Sequence, residues 1–167
     1  MRYGLMTNVR RSWSRVGERA VLRHQQAFAN RYLFSAVAPL IGKSFHLMGI
    51  DEMDTEAEVV FLRELKKQHP NENVVLVWDN APCHRSKRLR EIPGLAIIQL
   101  PSYSPKLNPT ERFFEEIRRS TANVVFEEIS GIETQITTAV NSWSENLEAM
   151  KQLLGYGWIK EQCLGVV

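Results

Sequence analysis

Two short apolar runs, VVLVW at Val74–Trp78 and LAIIQL at 95–100, stand on either side of a brief basic segment, SKRLREI. Runs this short, bounded by Asn, Pro and Gly, read as strands, and the segment between them as a short helix. Strands joined through a helix within one sheet run parallel or need a long crossover, so this half of the chain commits to an α/β architecture. The first run is the most hydrophobic strand in the chain and reads as continuously buried. It ends on Asp79, within WDNAPCHRS. Functional groups of open α/β sheets gather at the carboxyl ends of strands. Asp79, Asn80 and His84 therefore mark a candidate site.

The remaining elements fall in a readable order. Residues 31–40 and Lys43–Ile50 are apolar runs split by Ile41-Gly42, the pattern of a hairpin of adjacent strands. TEAEVVFLRELKKQH then places Val59, Val60, Leu62 and Leu65 at helical spacing, with Thr55 as cap and Pro70 as stop. After the second apolar run, the proline-rich PSYSPKLNP leads into a longer helix over PTERFFEEIRRST. In the tail, Ser130 and Glu133 match a capping box ahead of Ile132, Ile136, Val140 and Trp143.

With 167 residues, 44% of them hydrophobic, the chain supports one globular domain with a sizeable core. No apolar stretch approaches the ~20 residues that span a bilayer, and the amino terminus lacks the apolar run of a secretory signal. The expected location is cytoplasmic, with no membrane partner. Cys83 and Cys163 are too few for a disulfide framework and too far apart for finger-type zinc. The net charge is only +2, but it is unevenly spread: Arg2, Arg10, Arg11, Arg15, Arg19 and Arg23 face a single acid, Glu18, with Trp13 among them. Such a front end suits a phosphate backbone. It reads equally well as a solvated charged surface.

Two acids carry the chemical question. Asp79 and Glu111 can both present oxygen ligands to a hard divalent cation, and the elements between them could bring both to one rim. Each has a competing local role. Asp79 reads as a helix N-cap or turn acid. In Asn108-Pro109-Thr110-Glu111 the amide fits a cap, the proline the first helical position, and the glutamate the arm of a capping box.

VVLVWDNAPCHRS followed by LPSYSPKLNPTERFFEEIRR resembles the second half of the catalytic domain of mariner-like transposases of bacterial insertion sequences. Those enzymes belong to the DDE group and share a ribonuclease-H-like fold with retroviral integrases. The resemblance is strongest over residues 74–119 and extends more weakly to nearly the whole chain. It implies a mixed five-stranded sheet flanked by helices. It makes Asp79 the second catalytic aspartate and Glu111 the final glutamate, together holding Mg²⁺ or Mn²⁺ for metal-dependent cleavage and strand transfer of DNA. Asn80, His84, Tyr103 and Asn108 become supporting residues, with Tyr103 and the prolines stiffening the loop that aims Glu111. Arg10, Arg11, Arg15 and Lys106 become DNA contacts. The implied partners are transposon-end and target DNA, and a second copy of the chain as a homodimer. Cys83 is assigned to local packing.

The chain departs from that pattern at its start. The first catalytic aspartate belongs to an Asp-Glu pair on the opening strand, and RYGLMT and RRSW align so that the pair falls at or just before residue 1. No helix-turn-helix region precedes the domain in this sequence. The spacing from Asp79 to Glu111 is slightly short for the family, which the tight Glu91–Gly94 connection explains. Asp51 and Glu52 follow a strand and imitate the missing pair. Their strand, however, lies two spacings of about 4.8 Å from the opening one. The expectation is an N-terminally shortened transposase catalytic domain spanning 1–167, catalytically incomplete. The alternative is a non-catalytic remnant that binds DNA or a full-length transposase, and a metal-dependent nuclease or phosphatase on the same scaffold is a more distant third.

Overall fold

The computed structural model describes residues 1–79 and 86–164. Asn80, Cys83 and His84 lie outside the described residues. Among the described residues five strands and five α-helices follow in the order β1 (Arg2–Gly4), β2 (Asn30–Ala38), β3 (Lys43–Ile50), α1 (Thr55–Gln68), β4 (Val74–Trp78), β5 (Leu95–Gln99), α2 (Pro109–Ser120), α3 (Ile129–Glu145), α4 (Leu147–Leu154) and α5 (Gly157–Leu164). The SKRLREI segment forms a short 3₁₀ turn, Lys87–Glu91, instead of an α-helix. No helix among the described residues is long and apolar enough to cross a membrane.

The expected hairpin is present, β2 pairing antiparallel with β3 and also with β1 in the order β1-β2-β3. The expected parallel pair is present too, from Val74 opposite Leu95 to Trp78 opposite Gln99. The single five-stranded sheet is not formed as such. Among the described residues the strands divide into sheets of three and two, with no ladder joining β1 to β4. The physical reason lies in β1, which is only three residues long and offers almost no backbone for a second neighbour.

Alternation along the strands decides the layers. On one face of the larger sheet Tyr3 and Leu33 pack with Phe113 and Ile117 of α2, Ile132 and Ile136 of α3, and Met150 and Leu154 of α4. On the other face Phe34, Ala36, Phe45 and Leu47 meet Phe61, Leu62 and Leu65 of α1, and the same cluster takes in Val74, Leu76, Trp78 and Ile97 of β4 and β5. Helix α1 thus lies across both sheets. The reading of β4 as continuously buried is corrected here: Val75 and Val77 are 60% and 47% exposed. Its apolar residues occupy both faces, but only the face toward α1 is covered.

The caps of α1 and α3 lie one and two residues before the expected ones. Asp54, not Thr55, caps α1, its carboxylate accepting from the Ala57 amide at 2.8 Å. Helix α3 begins at Ile129 with Glu128 as cap, so Ser130 lies inside the first turn. The Glu133 carboxylate does not close a capping box. It accepts from the Tyr3 hydroxyl and from Arg31, both at 2.9 Å.

The β2–β3 turn depends on Gly42, whose φ is +73°, and an added Cβ there would sit 2.3 Å from the Leu147 carbonyl oxygen. The left-handed backbone and the clash act together. Gly42→Ala is expected to destabilise the fold by about 2 kcal/mol in urea unfolding, and a loss under about 0.5 kcal/mol would mean that the turn and α4 separate freely.

Candidate active site

Asp79 follows directly on β4, and the hydrogen bond from the Leu100 amide to the Trp78 carbonyl, 2.7 Å, ties the start of the next loop to the residue before it. That loop tightens into a 3₁₀ turn at Pro105–Leu107 and enters α2. Asn108 is the cap, its side chain accepting from the Thr110 amide at 3.0 Å, and Pro109 opens the helix as expected. The second arm of the anticipated capping box is absent, because the Asn108 amide donates to the Pro105 carbonyl. The Glu111 carboxylate is thereby released from a local role. It faces Arg118, at 3.8 Å, two turns along the same side of α2. This arginine escaped the sequence reading, although the seven-residue interval that aligns it with Glu111 on a helix was available.

Both acids act electrostatically on the start of β1. Met1 pairs with Leu33 of β2, its carbonyl accepting from the Leu33 amide at 2.8 Å and its amino group donating back at 2.6 Å. Burial lowers the pKa of that amino group to about 6, while Glu111 and Asp79 pull it upward and Arg118 pushes it down. Charges on α2 and at the end of β4 therefore act on one point at the head of β1. Two carboxylates and a guanidinium thus exert their charge on one corner, the head of β1. Oxygen donors of this kind fit a hard cation. Among the described residues, however, no group of three or more acids, histidines or cysteines converges to enclose one.

Asp51 is not part of that corner. Its carboxylate accepts from Arg31 Nε at 2.8 Å, and Arg31 also holds Glu133. Register sets the separation: Arg2 lies opposite Tyr32 and Tyr32 opposite Ile50, so the end of β3 stands two strands from β1, about 10 Å away.

The basic front end forms an arm. Residues 5–29 leave β1 and return to β2, closed at the root by Leu5 to Ala29 and Thr7 to Gln25 backbone bonds. Asn8 and Arg10 fasten the root to Arg118 and Asn123 beyond α2. Farther out, Arg11, Arg15, Arg19 and Arg23 are exposed, and Trp13 is fully exposed. Lys106 is exposed on the loop before α2. Tyr103 is also fully exposed, so its ring does not stiffen that loop by packing; Pro105, the 3₁₀ turn and the Asn108 cap supply the rigidity.

Comparison with known proteins fixes the family. The sequence profile of the DDE superfamily endonucleases matches residues 1–133. The chain belongs to that family. It is 31% identical over 112 residues to the uncharacterized protein y4pE/y4sA of Sinorhizobium fredii, covering 66% of this chain and 82% of that one. Among solved structures, the Mos1 strand transfer complex matches 93% of this chain with a TM-score of 0.67 at 16% identity, over 48% of its own length. The Mos1 transposase paired-end complex with left transposon end matches 93%, with a TM-score of 0.60 at 15% identity, over 54% of its own. The Mos1 mariner paired-end complex with Mn scores 0.59 at 14% identity. At these identities the likeness is one of fold. The chain spans about half the length of those solved chains.

Proposed function

We propose that this DDE-family chain is the catalytic domain of a DNA transposase, with Asp79 and Glu111 as two of three metal-binding acids. The observation that carries the reading is the family match over residues 1–133, within which Asp79 follows β4 and Glu111 lies in the first turn of α2. In the proposed arrangement the three-stranded and two-stranded sheets together form the layer of a ribonuclease-H-like fold. The shared cover of α1 over both sheets supports this. A divalent ion, Mg²⁺ or Mn²⁺, would supply Lewis-acid activation of the scissile phosphodiester and of the attacking oxygen. Asp79 and Glu111 hold it from opposite elements, Asn108 fixes the first turn of α2 so that Glu111 keeps its aim, and Arg118 restrains that carboxylate. The paired-end complex with Mn of the Mos1 protein supports the choice of ion. Asn80 and His84 belong to the same reading as groups beside the acids.

The arm and the loop are the proposed DNA contacts. Arg10, Arg11, Arg15 and Lys106 would meet phosphates, with a homodimer forming on transposon ends. Duplex DNA should bind with little sequence preference, and affinity should fall steeply with salt as counterions are released. The combined change of Arg11 and Arg15 to Ala is expected to weaken all duplexes alike and reduce the slope of log affinity against log salt by about 2. An unchanged slope would remove the arm from the DNA.

The acid assignment has its own test. Mn²⁺ should bind weakly to the chain in a relaxation titration, and Asp79→Ala and Glu111→Gln should each abolish that binding. Metal binding that survives both changes would place the site elsewhere. A second reading rests on the absence of a third acid at this corner among the described residues. In it the domain binds DNA, or a full-length transposase, without cutting.

A further inference from the structure

Among the described residues two non-glycines have positive φ, Asn123 at 61° and Tyr103 at 59°. Asn123 has an evident reason. Asparagine tolerates this region, its side chain accepts from the Arg10 amide, and its own amide donates to the Asn8 carbonyl. Tyr103 has none within the fold. A bulky residue is strained there, and its ring is fully exposed, so neither backbone nor core gains from the choice of tyrosine.

Its position supplies the missing reason. The loop that carries it starts at Leu100, tied to the residue before Asp79, and ends at the Asn108 cap ahead of Glu111. A fully exposed aromatic ring therefore stands on the loop that joins the two acids along the chain, with the exposed Lys106 three residues further on. Ser102 and Ser104 flank it, so no continuous apolar patch of the kind that anchors a protein partner surrounds the ring. Aromatic faces beside cations serve nucleic acids by stacking on bases, and a base can offer its face only when it is unpaired.

We propose that Tyr103 is a stacking platform for an unpaired nucleobase of the DNA held at Asp79 and Glu111. The inference rests on the transposase reading above and deepens it. The duplex is opened next to the acids, and the ring stands clear of the fold before DNA arrives.

The test compares a blunt duplex with the same duplex carrying unpaired nucleotides at one end, one of them 2-aminopurine. The chain should prefer the splayed end by about tenfold and quench the probe by stacking. Tyr103→Gly relieves the backbone, so it should raise Tm while abolishing preference and quenching and leaving blunt-duplex affinity unchanged. Tyr103→Trp should retain both signals, because the ring and not the hydroxyl is used. Equal binding of the two DNAs by the unaltered chain would overturn the stacking role while leaving DNA binding intact. Failure to bind either DNA would instead bring down the transposase reading itself, and this inference with it. Loss of self-association in Tyr103→Gly, with the splayed-end preference kept, would assign the ring to a protein interface and overturn the proposal.

Discussion

Placing an Asp-Glu pair directly ahead of Met1 is expected to raise Mn²⁺-dependent nicking of transposon-end DNA at least about 100-fold over the chain that starts at Met1. The magnitude follows from geometry: two-metal chemistry needs its ions held rigidly, and about 1 Å of misplacement can cost 100-fold in rate. The location follows from the structure. The Met1 amino group already feels Glu111 and Asp79, and Met1 is already paired with Leu33, so residues added before it continue an existing strand. Added acids would enter the corner on which the charges of the other two act. Glu111→Gln in the extended chain should return nicking to the starting level, separating metal chemistry from mere strand completion. If the short chain already cuts efficiently and loses activity on Asp51→Ala, then Asp51 is the third acid. That outcome would require Asp51 to leave Arg31 and move across two strands. If the extended chain is inert but binds DNA, the binding-only reading is preferred.

How much of this was legible beforehand depended on the range of the interactions. The β2–β3 hairpin, the parallel pairing of β4 with β5 and the entry to α2 at Asn108-Pro109 rest on local patterns, and all three are present. The misplaced caps are instructive because their local signals were genuine. Ser130 and Glu133 have capping-box spacing, but Glu133 is claimed by Tyr3 and Arg31, which come from more than a hundred residues earlier. No window of sequence around α3 contains those partners. Likewise, VVLVW is apolar on both faces, but only the packing of α1 reveals which one is covered.

The candidate site shows the same division. Asp79 and Glu111 could be named from motifs, and family membership is borne out over most of the chain. Their shared electrostatic action on Met1, the Arg118 partner and the outward Tyr103 could not, since each depends on how the elements pack around β1 or on a single backbone angle. The arm was visible only as composition. Its shape, a root fastened by Asn8 and Arg10 with an exposed outer part, comes from contacts to Arg118 in the last turn of α2 and to Asn123 just beyond it.

Acidification from pH 6.5 to 4 is expected to remove about 3 kcal/mol of stability through one histidine, His46. Its ring lies half-buried between the sheet and the helices, stacked on Phe113 with centroids 5.0 Å apart. Nδ1 shares a hydrogen bond with Ser35 at 2.8 Å, and Nε2 shares one with Ser144 at 3.3 Å. A neutral imidazole suits this setting, one nitrogen donating and the other accepting, whereas a charged ring gains no counter-charge to offset its lost hydration. Burial accordingly lowers its pKa from the ordinary 6.5 to about 4. The unfolded chain then binds more protons than the folded one between these values, so stability falls as pH falls through that window and the loss is complete below about 4. The Met1 amino group acts with the same sign but in a higher window, from about 8 down to about 6, so the two contributions separate on the pH axis. Urea unfolding of the intact chain and of His46→Gln, compared at pH 7.5, 6.5, 5.5 and about 4.5, provides the measurement. The variant should lose most of the dependence below pH 6.5. An unchanged slope there would mean that His46 reaches water as readily in the folded state as in the unfolded one, and that its stacking on Phe113 does not persist in solution.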